Sequence, residues 1–217
     1  MFLSRRWWCR LRARPRSLLS PGADARLAAD LGSLLLSPAE IDAAMGATGM
    51  VVDTTKSTIV DDSAYTDPVA CLAVSSMGQE LVYANSRWRA VRLQSLHEPG
   101  EDFEHLAHQA VVEFPDAGAA AAFFTASIPS WRACASGRYT YRPGADQPVA
   151  DWRTGPVDDH AGMLTASITQ QDGDGWGCRR ALTAAANVVA DVLACSFTDR
   201  DDAATVARNI ASRVLGQ

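Results

Sequence analysis

The chain has 217 residues, 47% apolar and 21% charged, enough for one full hydrophobic core and too apolar for a disordered chain. Six arginines (Arg5, Arg6, Arg10, Arg12, Arg14, Arg16) and no acid lie in residues 1–22, leaving 14 basic against 25 acidic residues, a formal −11, for the remainder. A body that acidic is repelled by phosphate backbones and anionic lipid, which argues against nucleic acid as a partner.

Residues 1–33 read as a basic, disordered leader with a misplaced start as one explanation, and residues 34–217 as a single foldable domain. The leader opens like an export signal, but Arg10, Arg12, Arg14 and Arg16 interrupt the apolar stretch of roughly 7–15 residues such a signal needs. Cys9, between Trp8 and Arg10, lacks the small apolar residues that precede a lipid-modified cysteine. No window approaches the ~18 apolar residues of a spanning helix, so no transmembrane segment is expected. A misplaced start codon or a cytosolic location would each account for this, and the cysteines bear on the choice.

At Ser37 the pattern changes. Ser37-Pro38-Ala39-Glu40 is a capping box with proline at the first helical position, predicting a short helix that ends near Gly46. Met50 to Ile59 is rich in β-branched residues and predicts an extended segment. Asp67-Pro68 is read as opening a second helix that runs through Cys71 towards Tyr83. Trp88–Leu96 and Leu106–Phe114 alternate as strands, the latter with Ala110, Val112 and Phe114 on one face. Asp116 caps an apolar helix through Ala119, Ala122, Phe123 and Trp131. Tyr139–Tyr141 and Met163–Thr169 read as further strands. Asp199–Leu215 is the last helix, with acids in its first turn, arginine in its last, and Ala203, Val206, Ile210 and Val214 on one face.

Beyond Cys9, four cysteines (Cys71, Cys134, Cys178, Cys195) allow three pairings. The stretch between Cys178 and Cys195 is ambiguous: its alanines favour helix, while Val188, Val189 and Val192 favour strand. A continuous helix would hold the two sulfurs roughly 25 Å apart, beyond any disulfide. A hairpin turning near Ala186-Asn187 would set Cys178 opposite Cys195, and Asn187 tolerates the left-handed conformation of a tight turn. Bridge and hairpin therefore stand or fall together, with four buried unpaired cysteines as the alternative.

Catalytic signatures are missing. The sequence holds no G-x-S-x-G, P-loop or dinucleotide fingerprint. No two of those four cysteines form C-x-x-C, and His97, His105, His108 and His160 lack zinc-ligand spacing. On the expected strand, His105 and His108 point to opposite faces. Asp172-Gly173-Asp174-Gly175 hints at a calcium loop, but its twelfth position is Thr183 where the bidentate Glu belongs. The reading is a non-enzyme without metal or cofactor. Candidate ligand contacts are Trp152 and Trp176, in loops where an aromatic face with a polar handle suits a sugar or lipid headgroup, with Gln109 and Asn187 as cleft-lining polar groups. Trp131 reads as packing around the cysteines.

Several stretches together resemble a known family. They are Leu-Leu-Ser-Pro-Ala-Glu-Ile near residue 35, Asp-Pro-Val-Ala-Cys at 67–71, Leu-Val-Tyr-Ala at 81–84 and His-Gln-Ala-Val-Val-Glu-Phe at 108–114. Trp-Arg-Ala-Cys at 131–134 and the 178–195 segment complete the set. In their order and cysteine spacing they resemble the extracellular sensor domain of mycobacterial PknH-type serine/threonine kinases, shared with a group of cell-envelope lipoproteins. The resemblance implies an α+β domain, an antiparallel sheet with helices packed against it and a cleft for ligand. It also implies disulfides Cys71–Cys134 and Cys178–Cys195. The functional expectation is an extracytoplasmic sensor for an unknown small-molecule or cell-wall ligand. Alternatives are an envelope module that docks another protein, and a hydrolase using unassigned carboxylates.

Overall fold

Alternating and β-branched segments assemble into one nine-stranded antiparallel sheet in a computed structural model that describes residues 31–142, 148–198 and 200–217. Most of the basic leader, Cys9 and Asp199, the expected start of the last helix, lie outside the described residues. The strands are β1 (Val51–Lys56), β2 (Thr66–Asp67), β3 (Ala90–His97), β4 (His105–Glu113), β5 (Arg138–Tyr141), β6 (Ala150–His160), β7 (Met163–Gln170), β8 (Gly177–Ala185) and β9 (Val188–Ser196). Their order across the sheet is β1-β3-β4-β9-β8-β7-β6-β5-β2. The central strands β4 and β9 are enclosed on both faces and read as near-continuous apolar runs, whereas β1 at the edge is exposed along its length.

Helices cover both faces. On one lie α1 (Pro38–Met45) and α5 (Asp202–Leu215), whose Ile41, Ala203, Val206 and Ile210 pack on Val111, Ala181, Val188 and Val192 of the sheet. On the other lie α2 (Leu72–Ser75), α3 (Glu80–Tyr83) and α4 (Ala117–Arg132), packed over Val112, Leu164, Leu182 and Val189. This is the α+β single domain expected. Helix α1 ends at Gly46, whose φ of 71° suits glycine. Helix α4 is capped by Asp116, whose carboxylate accepts from Ala119 N–H at 2.8 Å. Among the described residues, no helix is long and apolar enough to cross a membrane.

Three expectations are corrected. The helix from Asp67-Pro68 towards Tyr83 is broken into a 3-10 turn at Val69–Cys71, then α2 and α3, because Ser76 is extended (φ −140°, ψ 151°) and Gly78 is left-handed (φ 61°). Trp152, expected in a loop, lies in strand β6, which was not anticipated because its polar residues face outward and Gly155-Pro156 interrupts its pattern. The hairpin turn places Ala186 (φ 47°) in the left-handed region, in place of Asn187. Asn187 instead clips the turn to the end of β4: its amide donates to Phe114 O at 3.2 Å, and Phe114 N–H donates to its carbonyl at 2.8 Å.

Candidate functional site

Strand pairing sets Cys178 opposite Cys195 and Arg180 opposite Leu193, so Arg180 and Asp191 emerge on the face that carries α2, α3 and α4. Both side chains are enclosed, with Arg180 Nη2 2.7 Å from Asp191 Oδ1 in a charge contact rather than an aligned hydrogen bond. The guanidinium donates to the carbonyls of Val192 (2.7 Å), Val74 (3.2 Å), Ser76 (3.2 Å) and Ala73 (3.4 Å). Its carbon lies 5.1 Å from the Trp131 ring centre. The other Asp191 oxygen accepts from Gly78 N–H at 3.0 Å and Tyr83 O–H at 3.1 Å. Burial, then the Asp191 charge, push the Tyr83 phenol well above its ordinary range, so it stays a donor. Isolated, either charge would be costly to bury; paired, they fasten the segment 73–83 to the sheet.

Under that segment lies a cleft of about 450 Å³. Its floor is the sheet face: Leu93, Leu106, Leu193, Ile168 and the Cys178–Cys195 bridge. Met77 and Val60 overhang it. One end holds Tyr139, Tyr141 and Trp152, with the Tyr139 and Trp152 rings near parallel and 6.2 Å apart. Trp176, just ahead of β8, lines it as well, in edge contact with Phe103 at 6.0 Å and Phe197 at 5.0 Å. Asp53, Lys56 and Asp62 stand at the rim.

His108 shares this cleft. Part of its ring opens to the cavity and the rest is enclosed, and burial followed by the Arg180 charge holds its pKa down to about 4. It is therefore a neutral ring at physiological pH. His105 points the other way and lies 2.6 Å from Glu98 Oε1, as the strand parity required. Among the described residues, no three His, Cys, Asp or Glu side chains converge as a metal site.

The structure brings Trp152 and Trp176 to the cleft and leaves Gln109 and Asn187 elsewhere. Gln109 lies on the opposite face, its amide donating to Leu36 O (2.8 Å) and its carbonyl accepting from Leu36 N–H (2.8 Å), where it fastens the chain ahead of α1. Asn187 serves the hairpin turn. The disulfides are Cys71–Cys134 and Cys178–Cys195, with Cα separations of 4.9 and 3.9 Å. Trp131 is core, beside Cys71 and Cys134. Sequence reasoning passed over Arg180 and Asp191. The signal was present: one acid inside Val188–Ala194 and one arginine in the facing apolar strand each demand a buried partner.

The sequence matches the family described as PknH-like extracellular domain over residues 27–215. Serine/threonine-protein kinase PknH of Mycobacterium tuberculosis (strain ATCC 25618 / H37Rv) is 33% identical over 208 residues, covering 95% of this chain and 32% of the kinase. The Mycobacterium bovis PknH is likewise 33% identical over 208 residues, covering 95% of this chain and 34% of the kinase. The chain thus spans about a third of the length of the curated relatives it matches. The crystal structure of the extracellular domain of PknH from M. tuberculosis superposes with a TM-score of 0.80 at 30% identity, covering 86% of this chain and 95% of that one.

Proposed function

The chain belongs to the family of PknH-like extracellular domains, and from that premise we propose that it is a non-enzymatic sensor domain whose ligand enters the cleft between Tyr139 and Trp176. The family sets it outside the cytoplasm, where paired thiols persist. Phosphoryl transfer is an activity of the kinases named above and is not carried to this chain.

The observation that carries the reading is the cleft: a concave, largely apolar site with aromatic walls and a few polar groups. The buried Arg180–Asp191 pair supports it, because it keeps the overhanging segment in place without a ligand. Trp152 and Trp176 are the proposed contacts, and they supply the readout. Fractionated envelope extract is added while tryptophan emission and melting temperature are followed, a ligand raising the latter by mass action. Loss of both responses in Trp152→Ala and Trp176→Ala supports cleft binding. Responses that survive both substitutions contradict it.

A second reading, docking of another envelope protein, is favoured by the aromatic ridge Phe103–Trp176–Phe197, whose Phe197 is 51% exposed. The hydrolase alternative gains no support from the carboxyls. Burial raises the Asp202 carboxyl, but it sits at the start of α5 on the opposite face, beside Arg200 at 3.1 Å.

A further inference from the structure

The charged groups and the amide at the overhang of the cleft already have partners. The Gln79 amide donates to Asp62 Oδ2 (2.7 Å) and Met77 O (3.1 Å), and its carbonyl accepts from Asp62 N–H (2.8 Å). Arg180 and Asp191 are turned to each other and to the backbone of 73–78. His108, neutral at physiological pH, the Ser76 and Ser95 hydroxyls and the polar tips of Tyr139, Tyr141, Trp152 and Trp176 also line it, scattered singly around its wall. The floor between them is aliphatic, built of Leu93, Leu106, Ile168 and Leu193. A sugar seated on that floor would give up hydration that these few groups replace only in part, whereas a hydrocarbon would lose nothing. At the rim the charges are mixed: Asp53 and Asp62 flank Lys56, the sequence's single lysine. That edge suits a polar, uncharged or zwitterionic head.

Resting on the cleft-binding reading above, we infer that the cleft takes the apolar chain of a single-chain amphiphile, which lies on Leu93, Leu106, Leu193 and Ile168 and keeps its polar head beside Lys56. The aromatic residues of the lining fit the same occupant, since Trp and Tyr suit a boundary between an apolar interior and water.

Octyl, decyl and dodecyl maltosides, each below its micelle concentration, are titrated against the full oxidised chain by tryptophan emission, with maltose as the head alone. The chain-length series is the expected signature: Kd tightens by about fourfold per added methylene, and maltose gives no response. Leu106→Trp, which fills the floor, and Ile168→Phe as a milder plug, each checked for folding by melting, are expected to weaken dodecyl maltoside at least tenfold. Leu215→Ala, which removes an exposed side chain on α5, leaves it unchanged. Equal binding to both plugged variants means detergent on open surface, and overturns the inference. Maltose binding as tightly as dodecyl maltoside overturns it too, while cleft binding stands. Silence with every maltoside, alongside a response to envelope extract that needs Trp152 and Trp176, removes the hydrocarbon occupant and spares the cleft. Silence with both removes the two readings together.

Discussion

Asp191 and Gly78, 113 residues apart in sequence, meet through one hydrogen bond of 3.0 Å, the carboxylate Oδ2 accepting the glycine N–H. That bond, the Tyr83 hydroxyl on the same oxygen and Arg180 on the other together fix the overhang of the cleft. Asp191→Ala would strand a buried guanidinium, and the expected loss is about 3–5 kcal/mol in urea unfolding. A loss near zero would mean the pair contributes no more than a hydrophobic substitute.

Gly78→Ala probes the same place by strain. Gly78 sits at φ 61°, and an added Cβ would come 2.7 Å from Leu93 Cδ2 on the cleft floor. About 1–3 kcal/mol of destabilisation is expected from the left-handed backbone, together with weaker binding in the cleft. Unchanged stability would show that the turn relaxes.

The two disulfides close loops of 63 and 17 residues. In the chain-entropy account, replacing Cys71 and Cys134 with serine costs about 4 kcal/mol and replacing Cys178 and Cys195 about 3 kcal/mol. A non-reducing tryptic digest read by mass spectrometry checks the pairing first. Crossed or free cysteines would contradict the hairpin register, in which Cys178 faces Cys195.

Glu40 governs part of the acid limb. The Arg213 guanidinium beside it, then Ser37, whose N–H donates to the carboxylate at 2.8 Å, lower its pKa to about 2. A depressed carboxyl stabilises the fold above its unfolded value near 4.5, and that contribution is lost as pH falls towards about 2. The carboxylate is about half exposed (47%), so screening limits the effect to about 1 kcal/mol or less. Unfolding curves for wild type and Glu40→Gln are expected to separate at pH 7 and converge near pH 2. A constant offset would rule this linkage out.

His108 acts over a higher window. Its pKa is held at about 4 in the fold against an ordinary 6.5, so the unfolded chain binds the extra proton. Stability from this ring is complete above about 6.5 and declines as pH falls towards about 4. The imidazole resonance of His108 is expected to titrate near the lower value. A midpoint near 6.5 would place the ring in open solvent.

Local patterns carried much of the fold. Ser37-Pro38 with Glu40 announced α1, Asp116 announced α4, and the alternation of Ala110, Val112 and Phe114 announced β4. The hairpin was legible only through its cysteines, because alanine and valine divide the propensity between helix and strand. The break at Ser76–Gly78 was not legible, since it depends on Asp191 and Arg180, more than a hundred residues further along. Strand β6 was hidden for the opposite reason: most of its side chains face outward and leave no apolar period. At the site, Trp152 and Trp176 pointed to the cleft, although Trp152 stands on β6 and only Trp176 in a loop, whereas Gln109 and Asn187 drew attention as polar residues that turned out to fasten backbone.

Leu35 and Glu40 near the start of the described chain and Arg213 near its end are clasped to each other: the guanidinium donates to the Leu35 carbonyl and to the Glu40 carboxylate. Both ends therefore leave from the α1–α5 face, with the sheet between them and the cleft. Tension applied between Leu35 and Arg213 would load that clasp. The nine strands and their cystine cross-link lie on the far side of that clasp from such a load.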